Sequence, residues 1–122
     1  MDRAQKQHML EQLKLEREFV GRGGYHASVR DPRHPPTHLR DSPTCLNVNQ
    51  EDIEPCDRCF WYDLVPAERR EREMPCRHIP LDAQGNTVES LDARGRREEA
   101  EEKLLLWLDS TIARLETELA QA

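Results

Sequence analysis

Pro55-Cys56-Asp57-Arg58-Cys59 sets two thiols three positions apart on one short turn, with further cysteines at Cys45 and Cys76 and a histidine at His78. A Cys-x2-Cys knuckle aims both sulfurs at a common centre, and ligands from a second segment complete the tetrahedron that Zn²⁺ prefers. Composition makes such a centre valuable. Only 36% of the 122 residues are apolar and 34% are charged, too little for a large core, and small domains with poor cores lean on a metal, disulfides or a partner.

Sixteen residues separate Cys59 from Cys76, and ten separate Cys45 from Cys56. Two ligand sets follow. One uses Cys45, Cys56, Cys59 and Cys76; the other uses Cys56, Cys59, Cys76 and His78 and leaves Cys45 free. Either closes all four positions of one zinc per chain and leaves none for a reacting water, so the site reads as structural. An iron–sulfur cluster needs the same four thiolates and stands as the alternative, although the spacing is not that of the common ferredoxin runs. Pro55-Cys56-x-x-Cys59 is also the second half of the zinc deaminase signature. The first half is missing, because the residues two beyond His26, His34 and His38 are Ser28, Pro36 and Arg40 rather than glutamate. With no nucleophile and base pair and no phosphate loop either, the chain reads as a non-enzyme.

From Arg3 to Val20 the chain lacks Gly and Pro and is rich in good helix formers. Met9, Leu13, Glu16 and Val20 fall on one line, flanked by Leu10 and Phe19, which predicts an amphipathic helix over 1–20 ended by Gly21, Gly23 and Gly24. Residues 21–44 hold three glycines and four prolines and read as an arm or linker. The metal module is expected over 45–90. There Phe60-Trp61-Tyr62 supplies a miniature core, Ala67–Glu73 a short charged helix, and Cys76 to Val88 a small hairpin whose extended backbone turns Cys76 and His78 to the same side. Residues 91–122 hold the most regular stretch. Leu105, Leu108, Ile112, Leu115 and Leu119 recur at spacings of three and four, a seam able to bury its face within the chain or to pair with another. The fold class expected is therefore mainly α, with N- and C-terminal amphipathic helices flanking a loop-rich zinc-knuckle module with short strands.

Over residues 45–81 the knuckle with a later ligand pair resembles the broad group of zinc-ribbon and treble-clef modules. It departs from their second Cys-x2-Cys by carrying Cys76-x-His78, and no functional residue carries over from the resemblance.

The net charge of −6 is uneven: residues 1–44 carry eight Lys/Arg against six Asp/Glu, 45–95 six against eleven, and 96–122 four against seven. A phosphate backbone would have to be met by Arg22, Arg30, Arg33 and Arg40 with the histidines of the 22–40 arm. No N-terminal apolar run and no membrane-length apolar stretch stand in the sequence, which reads as a cytoplasmic, soluble chain. The function expected is a small zinc-stabilised, non-catalytic interaction or adaptor protein that binds a partner protein or forms a homodimer through its C-terminal helix. A nucleic-acid-associated regulator and an iron–sulfur redox or sensor protein are the alternatives.

Overall fold

The computed structural model describes residues 2–47 and 54–121; residues 48–53 of the expected metal module lie outside the described residues, as do Met1 and Ala122. Three α-helices carry the architecture: α1 (Arg3–Gly21), α2 (Val88–Ala93) and α3 (Arg97–Ala120). Asp2 opens α1 with a reciprocal cap, accepting from the Gln5 amide while the Gln5 side chain accepts from the Asp2 N–H. At its other end Gly23 takes φ +81° and Gly24 passes under the Phe19 ring, where a Cβ would lie 2.1 Å from a ring carbon. Only glycine fits there.

α1 and α3 form an antiparallel hairpin. Arg3 at the start of α1 donates to the Leu119 carbonyl at the end of α3 (2.8 Å), and Arg17 near the end of α1 meets Asp109 (2.6 Å). Met9, Leu10, Leu13 and Val20 of α1 join Leu104, Leu108, Leu115 and Leu119 of α3 in one core. The leucine seam is thus buried within the chain. The buried line on α3 runs through Ala100, Leu104, Leu108, Thr111, Leu115 and Leu119, with Leu105 and Ile112 at its half-buried margin.

Among the described residues there is no strand, which corrects the expected hairpin over 76–88. Pro75–His78 forms a 3₁₀ turn instead. Beyond it a single backbone bond, Leu81 N–H to the Asn86 carbonyl (2.7 Å), closes a loop whose amides are gathered by the Asp82 carboxylate. Pro75 and Pro80 remove the donors that a ladder would need. Val88 then begins α2, capped reciprocally by Thr87 and Ser90. The charged helix expected over Ala67–Glu73 shrinks to a 3₁₀ turn at Ala67–Arg69.

Segment 21–44 is tied into the fold by a buried polar chain. Glu16, Tyr25 and Ser42 are each fully buried. Tyr25 O–H donates to one Glu16 carboxylate oxygen (2.5 Å) and Ser42 O–H to the other (2.5 Å), while Tyr25 oxygen accepts the Leu39 N–H (3.1 Å). With the Ser42 proton given to Glu16, Thr44 O–H donates to Ser42 (2.7 Å) and accepts from the Trp61 indole (3.0 Å). The chain therefore runs from α1 to the aromatic residues that follow the knuckle.

Burial pushes the Glu16 carboxyl above its ordinary 4.5, against the two donors that hold it down. Its protonated form is favoured in the fold, so its cost is absent below the ordinary value and develops as pH rises from about 4.5 through the raised one. Glu16→Gln keeps an acceptor for Tyr25 and is expected to flatten the fall in stability across that range. Tyr25→Phe leaves Leu39 N–H and the carboxylate each one partner short, a loss of about 2–3 kcal/mol, read as a melting point roughly 10 °C lower.

Candidate metal centre

Cys45, Cys56, Cys59 and Cys76 all line one cavity of about 780 Å³. They arrive from three separate stretches of chain, and each arrival has its own cause. Cys45 follows the Ser42–Thr44 corner, its N–H bonded to the Ser42 carbonyl (3.1 Å). Cys56–Arg58 is a 3₁₀ turn closed by the Cys59 N–H on the Cys56 carbonyl (3.0 Å), so the Cys-x2-Cys segment is a local hydrogen-bonded unit. Trp61, stacked on Trp107 of α3 at 6.0 Å and bonded to Thr44, seats that unit against the helical hairpin. Phe60-Trp61-Tyr62 divides its work: Trp61 is core, Phe60 packs against the core, and Tyr62 lies under the Arg70 guanidinium at 5.1 Å.

Cys76 is placed by its neighbour Arg77, which no sequence signal singles out. Arg77 is buried, and its guanidinium donates to the His38 carbonyl (2.7 Å), Glu89 (2.8 Å) and Asp92 (2.8 Å). These bonds clamp the Pro75–His78 turn to both the 21–44 segment and α2. No local pattern announces such a residue, because its partners lie 12 to 39 positions away.

His78 is not on the cysteine cavity. It borders a second, smaller one of about 470 Å³ with Arg40, Arg72, Arg77 and Glu89. A 3₁₀ turn rotates successive side chains by about 120°, so residues two apart diverge, whereas the extended backbone expected here would have aligned them. Burial and the nearby Arg72 hold the His78 imidazole below its usual value.

All four cysteines are free thiols; Cys56 is exposed and the other three are half-buried. Burial raises the Cys56, Cys59 and Cys76 thiols, Cys76 to about 12, and the neighbouring sulfurs add to the rise at each. Thiols that raise one another in this way share one electrostatic environment. Two walls of the cavity also hold backbone in the left-handed region: Leu39 at φ 67° and Met74 at φ 52°. For non-glycine residues that conformation costs about 1–2 kcal/mol each, and Met74 leads directly into Pro75-Cys76. Among the described residues, no three His, Cys, Asp or Glu side chains stand close enough together to hold one metal ion.

The histidines of the 22–40 segment do not line up as a basic strip. His26 and His38 both meet Glu101 (3.1 and 3.0 Å), His34 pairs with Asp31 (2.8 Å), and His38 is fully buried. Among the described residues no helix is long and apolar enough to cross a membrane. Comparison with protein-family models, with curated proteins and with solved structures finds no match to this chain.

Proposed function

We propose that this is a small, non-catalytic binding protein whose middle segment is ordered by a metal centre held on Cys45, Cys56, Cys59 and Cys76. The observation that carries this reading is the convergence of four thiols from three stretches of chain on one cavity. The region around them supports it: from Leu39 to Leu81 the described backbone has only short 3₁₀ turns, so a cross-link through metal supplies order that secondary structure does not. Four protein ligands leave no open position for a substrate or a water, which is the mark of a structural centre.

Recognition of a partner falls, on this reading, to the surface around the metal-ordered segment. The α3 leucine line is engaged by α1 within the same chain, so it is not the surface offered. Hydrogen exchange of the protein before and after treatment with a strong chelator tests the reading. Amides of residues 54–81 are expected to lose protection while α1 and α3 keep theirs. Identical exchange in both samples would refute it.

A further inference from the structure

The contact between His38 and Glu101 fixes where the buried imidazole carries its hydrogen. Burial raises the Glu101 carboxyl, but the imidazoles of His38 and His26 outweigh it and hold the group below its usual 4.5. At neutral pH Glu101 is therefore a carboxylate that can only accept, and His38 Nε2, 3.0 Å from Glu101 Oε1, is the N–H donor. A neutral imidazole has one N–H, so His38 Nδ1 bears a lone pair. It faces Asp92 Oδ1 at 4.0 Å, beyond hydrogen-bond reach, and neither atom has a hydrogen-bond partner among the described residues. Two acceptors thus confront each other in a buried place, where unpaired polar atoms are most costly.

Every element packed on the ring brings charge to it. Glu101 and Arg97 come from α3 and Asp92 from α2. The Pro75–His78 turn brings Arg77, whose guanidinium holds Asp92 Oδ2, Glu89 and the His38 carbonyl. His26 sits on the other oxygen of Glu101, and the Tyr25 ring lies against the imidazole at 4.7 Å, with Glu16 of α1 behind it. With His38 neutral, Asp92, Glu89 and Glu101 stand against Arg77 and Arg97, and one added proton evens the balance.

We propose that His38 and Asp92 form a proton-operated latch: a proton from water binds Nδ1 in mildly acid solution, joins it to the Asp92 carboxylate by a charge-assisted hydrogen bond, and so fastens the 21–44 segment to α2. The latch governs the neck of an exposed loop. Residues 26–34 are exposed, Val29 completely, and Arg97 gathers the loop's ends by donating to the Tyr25 carbonyl and to the Pro36 carbonyl (2.6 Å). His38 follows two residues beyond that neck. Burial, aided by Arg97, keeps the imidazole below its ordinary 6.5 against the pull of the two carboxylates. The latch accordingly closes below that pH, and its bond to Asp92 recovers part of what burying the charge costs. Because the unfolded chain takes this proton first, the stability that neutral His38 contributes is present above 6.5 and is lost as pH falls towards the lowered folded value. This inference goes beyond the metal-centre reading and does not depend on it.

The test is nitrogen-15 NMR of the histidine rings of the full chain as pH is lowered. The expected result is His38 in the Nε2–H form at neutral pH, turning doubly protonated with a midpoint between about 4.5 and 6.5, its Nδ1 proton protected from exchange. Asp92→Asn is the decisive variant. Its side-chain carbonyl still accepts from Arg77 while its NH₂ donates to the Nδ1 lone pair, so the neutral ring is satisfied without a proton. The midpoint is expected to fall by about one pH unit or more, a tenfold weaker hold on the proton. An Nδ1–H tautomer at neutral pH would overturn the proposal, and so would a midpoint unmoved in Asp92→Asn. A ring that stays neutral throughout in the parent would overturn it too, as expected if a water donates to both atoms instead. The parent titration decides even where Asp92→Asn fails to fold.

Discussion

Cys76→Ser is expected to strip the protein of its metal and to lower its melting temperature by roughly 20 °C, the largest effect of any single change considered. Three features concentrate the consequence at this position. On the proposed reading Cys76 is the one ligand from its stretch of chain, so its loss would open the cross-link between that stretch and the knuckle, whereas Cys56 and Cys59 are joined by a local hydrogen bond. Its turn begins from Met74 in the left-handed region, a strained approach that the bound centre would help to hold. Structural metal sites in small domains contribute about 10–16 kcal/mol of folding free energy. A loss of about 5 kcal/mol on removal of one ligand is a modest share of that, and converts to the stated shift for a domain of this size. His78→Ala, measured beside it, is expected to melt like the parent. Equal metal content and equal melting in Cys76→Ser and the parent would mean that the thiols share a cavity without sharing a metal.

The second large effect concerns the helical hairpin. Leu108 is fully buried between α3 and its neighbours, and Leu108→Asp asks a carboxylate to sit in apolar surroundings with no partner. The cost exceeds about 4 kcal/mol, a large part of the 5–15 kcal/mol that holds a typical domain together. Most of the helical circular dichroism is expected to disappear at 37 °C. Leu106→Asp, two residues away and 64% exposed, is expected to change stability by no more than about 0.5 kcal/mol and to leave the mass in solution unaltered. The opposite pattern, a folded Leu108→Asp and a Leu106→Asp that changes the oligomeric state, would place the seam between chains instead of within one.

The two long helices were legible because their signals are local. The absence of Gly and Pro, the 3.6-residue recurrence of apolar side chains and the glycines after Val20 located α1 to within two residues, while the C-terminal helix expected over 91–122 begins six residues later, at Arg97, because Leu91 belongs to α2. Even there the buried line on α3 lies one residue from the one read, through Leu104 and Thr111, because α3 packs against α2 and the middle segment as well as α1. The knuckle was legible as spacing, and its local turn follows from it. What could not be read depends on partners far along the chain. Glu16 looked like an interruption of an apolar line; it is buried because Tyr25 and Ser42, 9 and 26 positions on, bring it hydroxyls. Arg77 is the clamp of the turn, and its partners His38, Glu89 and Asp92 lie 12 to 39 positions away. The strands failed for a reason present in the sequence, the prolines at 75 and 80. The signal for α2 was present too, in Thr87 and Ser90 around a Val88/Leu91 pair, but six residues are too few for periodicity to speak.

The central claim is that four cysteines hold one metal centre together, and intact mass under native conditions tests it most directly. The expected result is the chain mass plus one bound metal group, less the protons of the coordinating thiols, with that group absent from Cys76→Ser. Bare chain mass in the parent protein, whether with four free thiols or lighter by two disulfides, would contradict it.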